Sequence, residues 1–388
     1  MKIAEIAAQL QPELVELRRD FHQYPEPSGK EKRTAARIAE ELTKHKISVE
    51  RKAGTGVVGT LTGSQPGPTV ALRADIDALS IEEKTGKSYA SKNPGLMHAC
   101  GHDAHITCLL GAAKILTLIK DKLQRTVKFI FQPAEEICQG AQQMIEAGVL
   151  DGVDGIFGIH VWSDVPAGKV NIAAGPRMAA TDLFTIEVEG KGGHGSAPHQ
   201  GVDAVLVAAA VTMNLQTIVS REFNPLEPVV VHVGEMLAGD RFNIIGSKAT
   251  LRGTNRYFNP EISNKLPEAM KRIAENTAAT FRAQADVEYR FGCPPTINDK
   301  RIANIVQQAA VKLYGEDCLA PMAPRTAGED FAYYLEKVPG ALAFLGVSNP
   351  EKGTIWPQHH PCYDIDEDVL QKGAAIYAQF AWEFLNCR

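Results

Sequence analysis

The sequence predicts an α/β protein: a larger mixed-sheet domain into which a smaller ferredoxin-like (β-α-β-β-α-β) unit is inserted. Three observations predict this. Residues 1–181 alternate helix-period segments with short apolar, strand-like runs, and residues 291–388 return to the same texture. The strand-like runs of this outer part end in acidic, histidine or cysteine side chains, the place where open α/β sheets bind ligands. Residues 182–290 hold a strand, a helix, two strands, a helix and a strand, in a unit complete in itself. With 388 residues, 44% of them hydrophobic, the chain is long and apolar enough for more than one core.

Taken in order, a first helix is predicted over residues 5–23. Tyr24-Pro25-Glu26-Pro27-Ser28-Gly29 then breaks helical geometry with two prolines, and a second helix covers 29–45. Strands follow at 47–52, 56–62 and 69–74. The last is nearly all apolar, as a strand buried on both faces would be, and Asp75 and Asp77 stand at its end. Met97 to His105 then crowds three histidines, a cysteine and an aspartate into nine residues. Cys100 and His102 are two apart, so on an extended loop both leave the same side. Gly101 lets the backbone turn, and the apolar run from Ile106 reads as a helix with His102 and His105 at its mouth. A strand over 125–132 ends in Pro133-Ala134-Glu135-Glu136, and one over 154–160 ends in His160, with Trp162 just beyond.

The inserted unit reads as strands at 182–189, 228–236, 248–256 and 285–291 with helices at 201–221 and 260–283. Beyond Cys293 the outer domain resumes with a helix from Lys300, the loop Thr326-Ala327-Gly328-Glu329-Asp330 and a strand at 341–347. Trp356-Pro357-Gln358-His359-His360-Pro361 and a C-terminal helix over 367–385 complete it.

A formal net charge of -5 gives no basic field, and no run of like charges is long enough to bind nucleic acid, so none is expected as a partner. The N-terminal segment lacks the basic end, apolar stretch and cleavage site of a signal peptide. No apolar run is expected to span a membrane, which needs about 18 residues. Seven cysteines, an odd and scattered number, do not read as a disulfide framework, and a cytoplasmic location is the expectation. Apart from Cys100 they read as small apolar fillers or chance surface thiols.

Cys100, His102, Glu136, His160 and His359 are the candidate metal ligands. Thiolate and imidazole together argue against Mg²⁺ or Ca²⁺ and for Zn²⁺, Mn²⁺, Ni²⁺ or Co²⁺. Five donors exceed a closed tetrahedral site and predict two divalent ions, roughly 3.5–4 Å apart, sharing a bridging ligand and generating hydroxide. Neighbouring carboxylates at the end of a buried strand repel unless a cation neutralises one of them. Glu135, beside a ligand but not needed as one, is placed to take the proton of the bridging water and deliver it to a leaving nitrogen. Asp77 is expected to orient a ligating histidine, and Asp103 or His105 could do the same.

The motifs MHACGHDAH, FQPAEE, GIHV, GKGGHGSAPH and HHPCYDIDED, in this order and spread nearly end to end, resemble a metallo-amidohydrolase family. It includes bacterial N-acyl-amino-acid and hippurate hydrolases and plant auxin–amino acid conjugate hydrolases, and is related to aminoacylases and zinc carboxypeptidases. The resemblance implies a phosphorylase/hydrolase-like zinc-peptidase fold in which the inserted unit is a lid and dimerisation domain. It also implies that the five candidates are ligands, selects His359 over His360 as the last of them, and makes Glu135 the general base. Its reaction is hydrolysis of the amide of N-acetyl, N-benzoyl or similar N-acyl L-amino acids, with a carboxypeptidase or dipeptidase as the alternative. His194 would polarise the scissile carbonyl in the neighbouring subunit of a homodimer or a higher homo-oligomer. Asn243 and either Arg252 or Arg256 match positions linked to substrate binding, although an arginine on a strand also suits a solvated edge. Gly246 stands where relatives carry proline.

Overall fold

A strand that is apolar on both faces must be covered on both, and the computed structural model, which describes residues 2–123 and 125–386, places the run at 69–75 in the interior of a sheet. In chain order the first elements are α1 (Ile3–Gln23), α2 (Lys32–Lys44), β1 (Ser48–Lys52), β2 (Gly56–Leu61), β3 (Thr69–Asp75), α3 (His102–Leu118), β4 (Thr126–Gln132), α4 (Gly140–Glu146), β5 (Gly155–Pro166) and β6 (Val170–Asn171). Next come β7 (Gly175–Met178), β8 (Asp182–Glu189), β9 (Gly193–His194), α5 (Ala204–Thr217), β10 (Val229–Ala238), β11 (Ile244–Ile245), β12 (Lys248–Tyr257), α6 (Ile262–Thr280) and β13 (Gln284–Arg290). The chain closes with β14 (Thr296–Asn298), α7 (Lys300–Tyr314), α8 (Ala332–Leu335), β15 (Gly340–Ser348) and α9 (Leu370–Asn386).

Two units divide these elements: Met1–Gly175 with Ile297–Ala323 and Asp330–Arg388, and Pro176–Thr296 with Pro324–Glu329. In the first, seven strands form a mixed sheet in the order β1-β2-β4-β3-β5-β15-β6. The middle four, β4, β3, β5 and β15, run parallel, and β1, β2 and β6 are antiparallel to their neighbours. Helix α3 is mostly apolar beyond its first turn and buried along nearly its whole length. It packs on α1, α9 and β3 over one continuous core. The parallel strands present their carboxyl ends on one edge, so Asp75, the loop after β4 and the start of α3 meet there. His160 lies within β5, not at its end, because β15 stays paired alongside it as far as Pro166.

The second unit is a four-stranded antiparallel sheet, β10-β12-β8-β13, with α5 and α6 packed on it. Strand β8 alternates buried and exposed residues, and Phe184, Ile186 and Val188 point into this unit's own core. Residues 324–329, read from the sequence as part of the outer domain, belong with this unit. Arg325 N–H donates to Arg177 O and Ala179 N–H to Arg325 O, at 2.8 and 3.0 Å, and Arg256 Nε donates to Thr326 O. The stretch Ala204–Glu222 is long and apolar enough to cross a membrane by length and composition alone, with mean hydropathy 1.4, against the expectation of no such run. Among the cysteines, Cys100, Cys108, Cys318 and Cys362 are free thiols. Cys138 and Cys293 are disulfide-bonded, which corrects their reading as unpaired fillers, and Cys387 lies outside the described residues.

Candidate metal centre

Helix α3 begins at His102, four residues earlier than the apolar run suggested, so His102 and His105 occupy its first turn. Gly101 caps it with φ +87°, and a Cβ there would come within 2.4 Å of Val161 Cγ2 and 2.8 Å of the Tyr363 hydroxyl. Only glycine fits both the left-handed backbone and the close approach. Ala134 and His359 also have positive φ, +54° and +64°. Non-glycine residues hold that conformation at a cost of about 1–3 kcal/mol each, and such strain clusters where function demands a particular backbone.

The five candidate ligands come together at the carboxyl edge of the sheet. Cys100 Sγ lies 3.5 Å from His160 Nε2, and Glu136 Oε1 lies 3.8 Å from His102 Nε2 and 3.7 Å from His359 Nε2. Donor atoms of Cys100, His102 and His160, of Cys100, Glu136 and His359, and of His102, Glu135 and Glu136 form groups within 4.8 Å of one another. His359 is the exposed member, with about half its side chain open to solvent, and its N–H donates to Ala99 O.

The hydrogen bonds behind these atoms fix their orientation. His102 Nδ1 donates toward Asp77, 2.9 Å from its carbonyl and 3.2 Å from Oδ1, which leaves Nε2 aimed at Glu136. Asp77 Oδ2 accepts the Glu136 N–H and the Ser28 hydroxyl. His160 Nδ1 donates to Val161 O at 2.6 Å, so its Nε2 faces Cys100 without a proton. His105 has both ring nitrogens engaged, Nδ1 with Asp75 and Nε2 with the Val161 N–H. Asp103 turns away from the ligating histidines and accepts from Arg18 Nε and His22 Nδ1 at 2.9 and 2.7 Å.

Three groups carried no signal in the sequence. Arg73, inside the apolar run of β3, donates to Asp75 at 2.7 Å, Asp330 at 2.9 Å and Gln132 at 2.9 Å. Gln132 and the Ala141 N–H also bond Asp330, whose own N–H lies 3.4 Å from Glu135 Oε1. Glu135 is only 7% exposed, so its carboxylate is sheltered from bulk water.

Divalent cations fit this donor set. His102 Nε2 and Glu136 Oε1 are buried and lack a hydrogen-bond partner, which an apolar interior does not tolerate without compensation. Burial, with Glu136, Glu135 and Asp75 nearby, pushes the Cys100 thiol well up, and burial with Asp77 and Asp75 pushes Glu136 up to about 7. Cations would displace those protons and hold thiolate and carboxylate together. A thiolate held in this way is shielded, so in mild urea, where the buried thiol becomes accessible, Cys100 of the metal-loaded protein is expected to resist iodoacetamide while the chelated protein reacts. Equal alkylation rates in both forms, followed by peptide mass spectrometry, would remove Cys100 from the donor set.

In the second unit His194 pairs with Ile244 in the short β9–β11 ladder and is exposed, its Nδ1 accepting the Ser196 N–H at 3.1 Å. Gly195 N–H donates to Asn243 O at 2.9 Å, so His194 and Asn243 sit on adjoining loops. Arg252 is exposed and paired with Glu235 on the neighbouring strand at 2.8 Å, as a solvated strand residue would be. Arg256 is half-buried and donates to backbone carbonyls of Asn255 and Thr326.

The family described as Peptidase family M20/M25/M40 matches residues 71–383. An N-acetyl-L-cysteine deacetylase of Bacillus subtilis (strain 168) is 43% identical over 97% of this chain and 89% of its own length. Thermostable carboxypeptidase 1 of Saccharolobus solfataricus is 39% identical over 99% of this chain and 98% of its own. The crystal structure of a Bacillus subtilis protein described as a dinuclear metal-binding peptidase of the M20 family superposes with a TM-score of 0.88 and 35% identity, covering 98% of this chain and 99% of that one.

Proposed function

Because this chain belongs to peptidase family M20/M25/M40, we propose that it is a two-metal amidohydrolase that splits N-acyl L-amino acids into a carboxylic acid and a free amino acid. The observation that carries this reading is the convergence of Cys100, His102, Glu136, His160 and His359 around the sheltered carboxylate of Glu135. Those five residues would hold two ions drawn from Zn²⁺, Mn²⁺, Ni²⁺ and Co²⁺. When bound, the ions supply positive charge that polarises an amide carbonyl and makes water acidic enough to attack near neutral pH.

The chain's own groups do the rest. Glu135 takes the proton of the attacking water and passes it to the amide nitrogen as the carbon–nitrogen bond breaks. Asp77 and the Val161 carbonyl keep His102 and His160 in the tautomers that present Nε2. His194 donates to the carbonyl oxygen as negative charge develops there. Asn243 and one of Arg252 and Arg256 hold the substrate's far end, and Arg256 suits this better because Arg252 already has a carboxylate.

The Saccharolobus relative supports a second reading, a carboxypeptidase. Amino-acid release from N-acetyl and N-benzoyl amino acids, compared with dipeptides under added Mn²⁺ or Zn²⁺, separates the two. Preference for the acylated amino acids supports the amidohydrolase, and preference for dipeptides supports the peptidase.

The proposal includes a homodimer in which His194 serves the neighbouring subunit. Strand β10 is an open, largely exposed edge, and α5 exposes Val205, Leu206 and Met213 beside it in sequence, a surface suited to symmetric pairing. Mixing inactive Glu135→Gln and His194→Ala proteins is expected to restore up to about a quarter of wild-type activity, since random exchange makes half the dimers mixed. No recovery despite demonstrated exchange would mean that His194 acts in its own chain or not at all.

A further inference from the structure

In the sequence, segment 25–31 is a helix breaker followed by a helix start, and Glu31 is an acid at the head of α2. In the structure Glu31 stands at the N-cap position, yet its side chain makes no capping bond. Its carboxylate is wholly buried and takes three donors from elsewhere. Oε1 accepts the Gly29 N–H at 2.7 Å and the Ala134 N–H at 3.0 Å, and Oε2 accepts the Thr55 hydroxyl at 2.6 Å.

Ala134 is the left-handed residue that precedes Glu135. Its carbonyl is held inside its own loop, by the N–H groups of Gln139 and Gly140 at 3.3 and 3.1 Å. Its N–H is tied to a residue 103 positions away. A non-glycine residue keeps positive φ only where its surroundings over-determine it, and both ends of this peptide are so held. The same N-terminal loop makes a second tie, through Ser28 to Asp77 and so to the Glu136 N–H.

We propose that Glu31 is a positioning residue for Glu135: by holding the Ala134 N–H it fixes the backbone that aims the Glu135 carboxylate. The proposal rests on the general-base reading of Glu135 for its kinetic consequence, though not for its structural one. The hydrogen bond needs an acceptor oxygen and no charge. A glutamine at 31 would still accept the Ala134 and Gly29 N–H groups, with its amide group facing the Thr55 hydroxyl. Alanine removes the acceptor, and aspartate withdraws it by one methylene.

The test compares metal-loaded Glu31→Gln, Glu31→Ala and the double variant Glu31→Ala/Ala134→Gly with the wild type. The measurements are kcat and KM on the best substrate of the panel, metal content, and amide exchange of residues 134–136. Misplacement of a catalytic group by about 1 Å costs up to about 100-fold, so Glu31→Ala is expected to lose about 10–100-fold in kcat, with KM and metal content unchanged and faster exchange at 134–136. Glu31→Gln keeps wild-type kcat, and the double variant recovers much of the loss because glycine adopts the left-handed backbone unaided. The proposal is overturned if Glu31→Ala turns over as the wild type does, if Glu31→Gln loses as much as Glu31→Ala, or if exchange at 134–136 is unchanged. Should Glu31→Ala fail to fold, Glu31→Asp supplies the contrast: kcat falls while the glutamine variant keeps it, and an aspartate variant as fast as wild type overturns the proposal. If the wild type cleaves nothing on the panel, the functional reading fails, while the exchange contrast still decides whether Glu31 holds the loop.

Discussion

Replacing Glu135 with glutamine is expected to leave the protein folded and fully loaded with metal while lowering turnover by about 10²–10⁴-fold. The side chain is nearly buried, so an isosteric amide fills the same space, and its oxygen can still accept the Asp330 N–H. What the amide cannot do is take a proton. The five proposed ligands are untouched, so metal content separates this change from damage to the centre. Metal analysis beside steady-state kinetics makes the comparison, and a glutamine variant with wild-type turnover would take Glu135 out of the reaction.

The largest effect on stability is expected at Arg73. It is 2% exposed and lies between the carboxylates of Asp75 and Asp330, both wholly buried. Removing one member of a buried ionic group leaves uncompensated charge and costs about 3–5 kcal/mol, so Arg73→Met should lower the unfolding free energy by that much, read as a lower urea midpoint. Burial alone would raise Asp75, but His102, His105 and Arg73 together hold it well below the ordinary carboxylate range. A depressed carboxylate contributes stability above its unfolded value, near 4, and loses it as pH falls through the folded value. The deficit of the methionine variant is therefore full at neutral pH and shrinks in acid. Equal midpoints for variant and wild type at pH 7 would show that the two aspartates do not depend on Arg73.

Much of this was legible in the sequence because of what the chemistry demands locally. Metal ligands come from a short menu of side chains, and the candidates Cys100, His102, Glu136, His160 and His359 stand out in the sequence at positions where no packing reason calls for them. The order of elements in the inserted unit was readable for a similar reason: alternation in β8 and the long helical periods leave few choices. The supporting groups were not legible. Arg73 looks like one charge in an apolar strand, and its partner Asp330 lies 257 residues away, a distance no local pattern reports. Asp103 shows the opposite error. Its position beside His102 suggested an orienting role, but neighbours along a helix point to different sides, and its carboxylate faces Arg18 and His22. The length of β5 past His160 was hidden too, because pairing with β15 sets where that strand stops.

The central claim is that this donor set holds two divalent ions, and metal stoichiometry tests it most directly. Protein stripped with chelator, reloaded with Zn²⁺ or Mn²⁺, passed through a desalting column and analysed by inductively coupled plasma mass spectrometry is predicted to carry two ions per chain, and a Glu136→Ala/His160→Ala variant is predicted to carry fewer. Retention of no metal by the wild type, or of the full complement by the variant, would contradict the account.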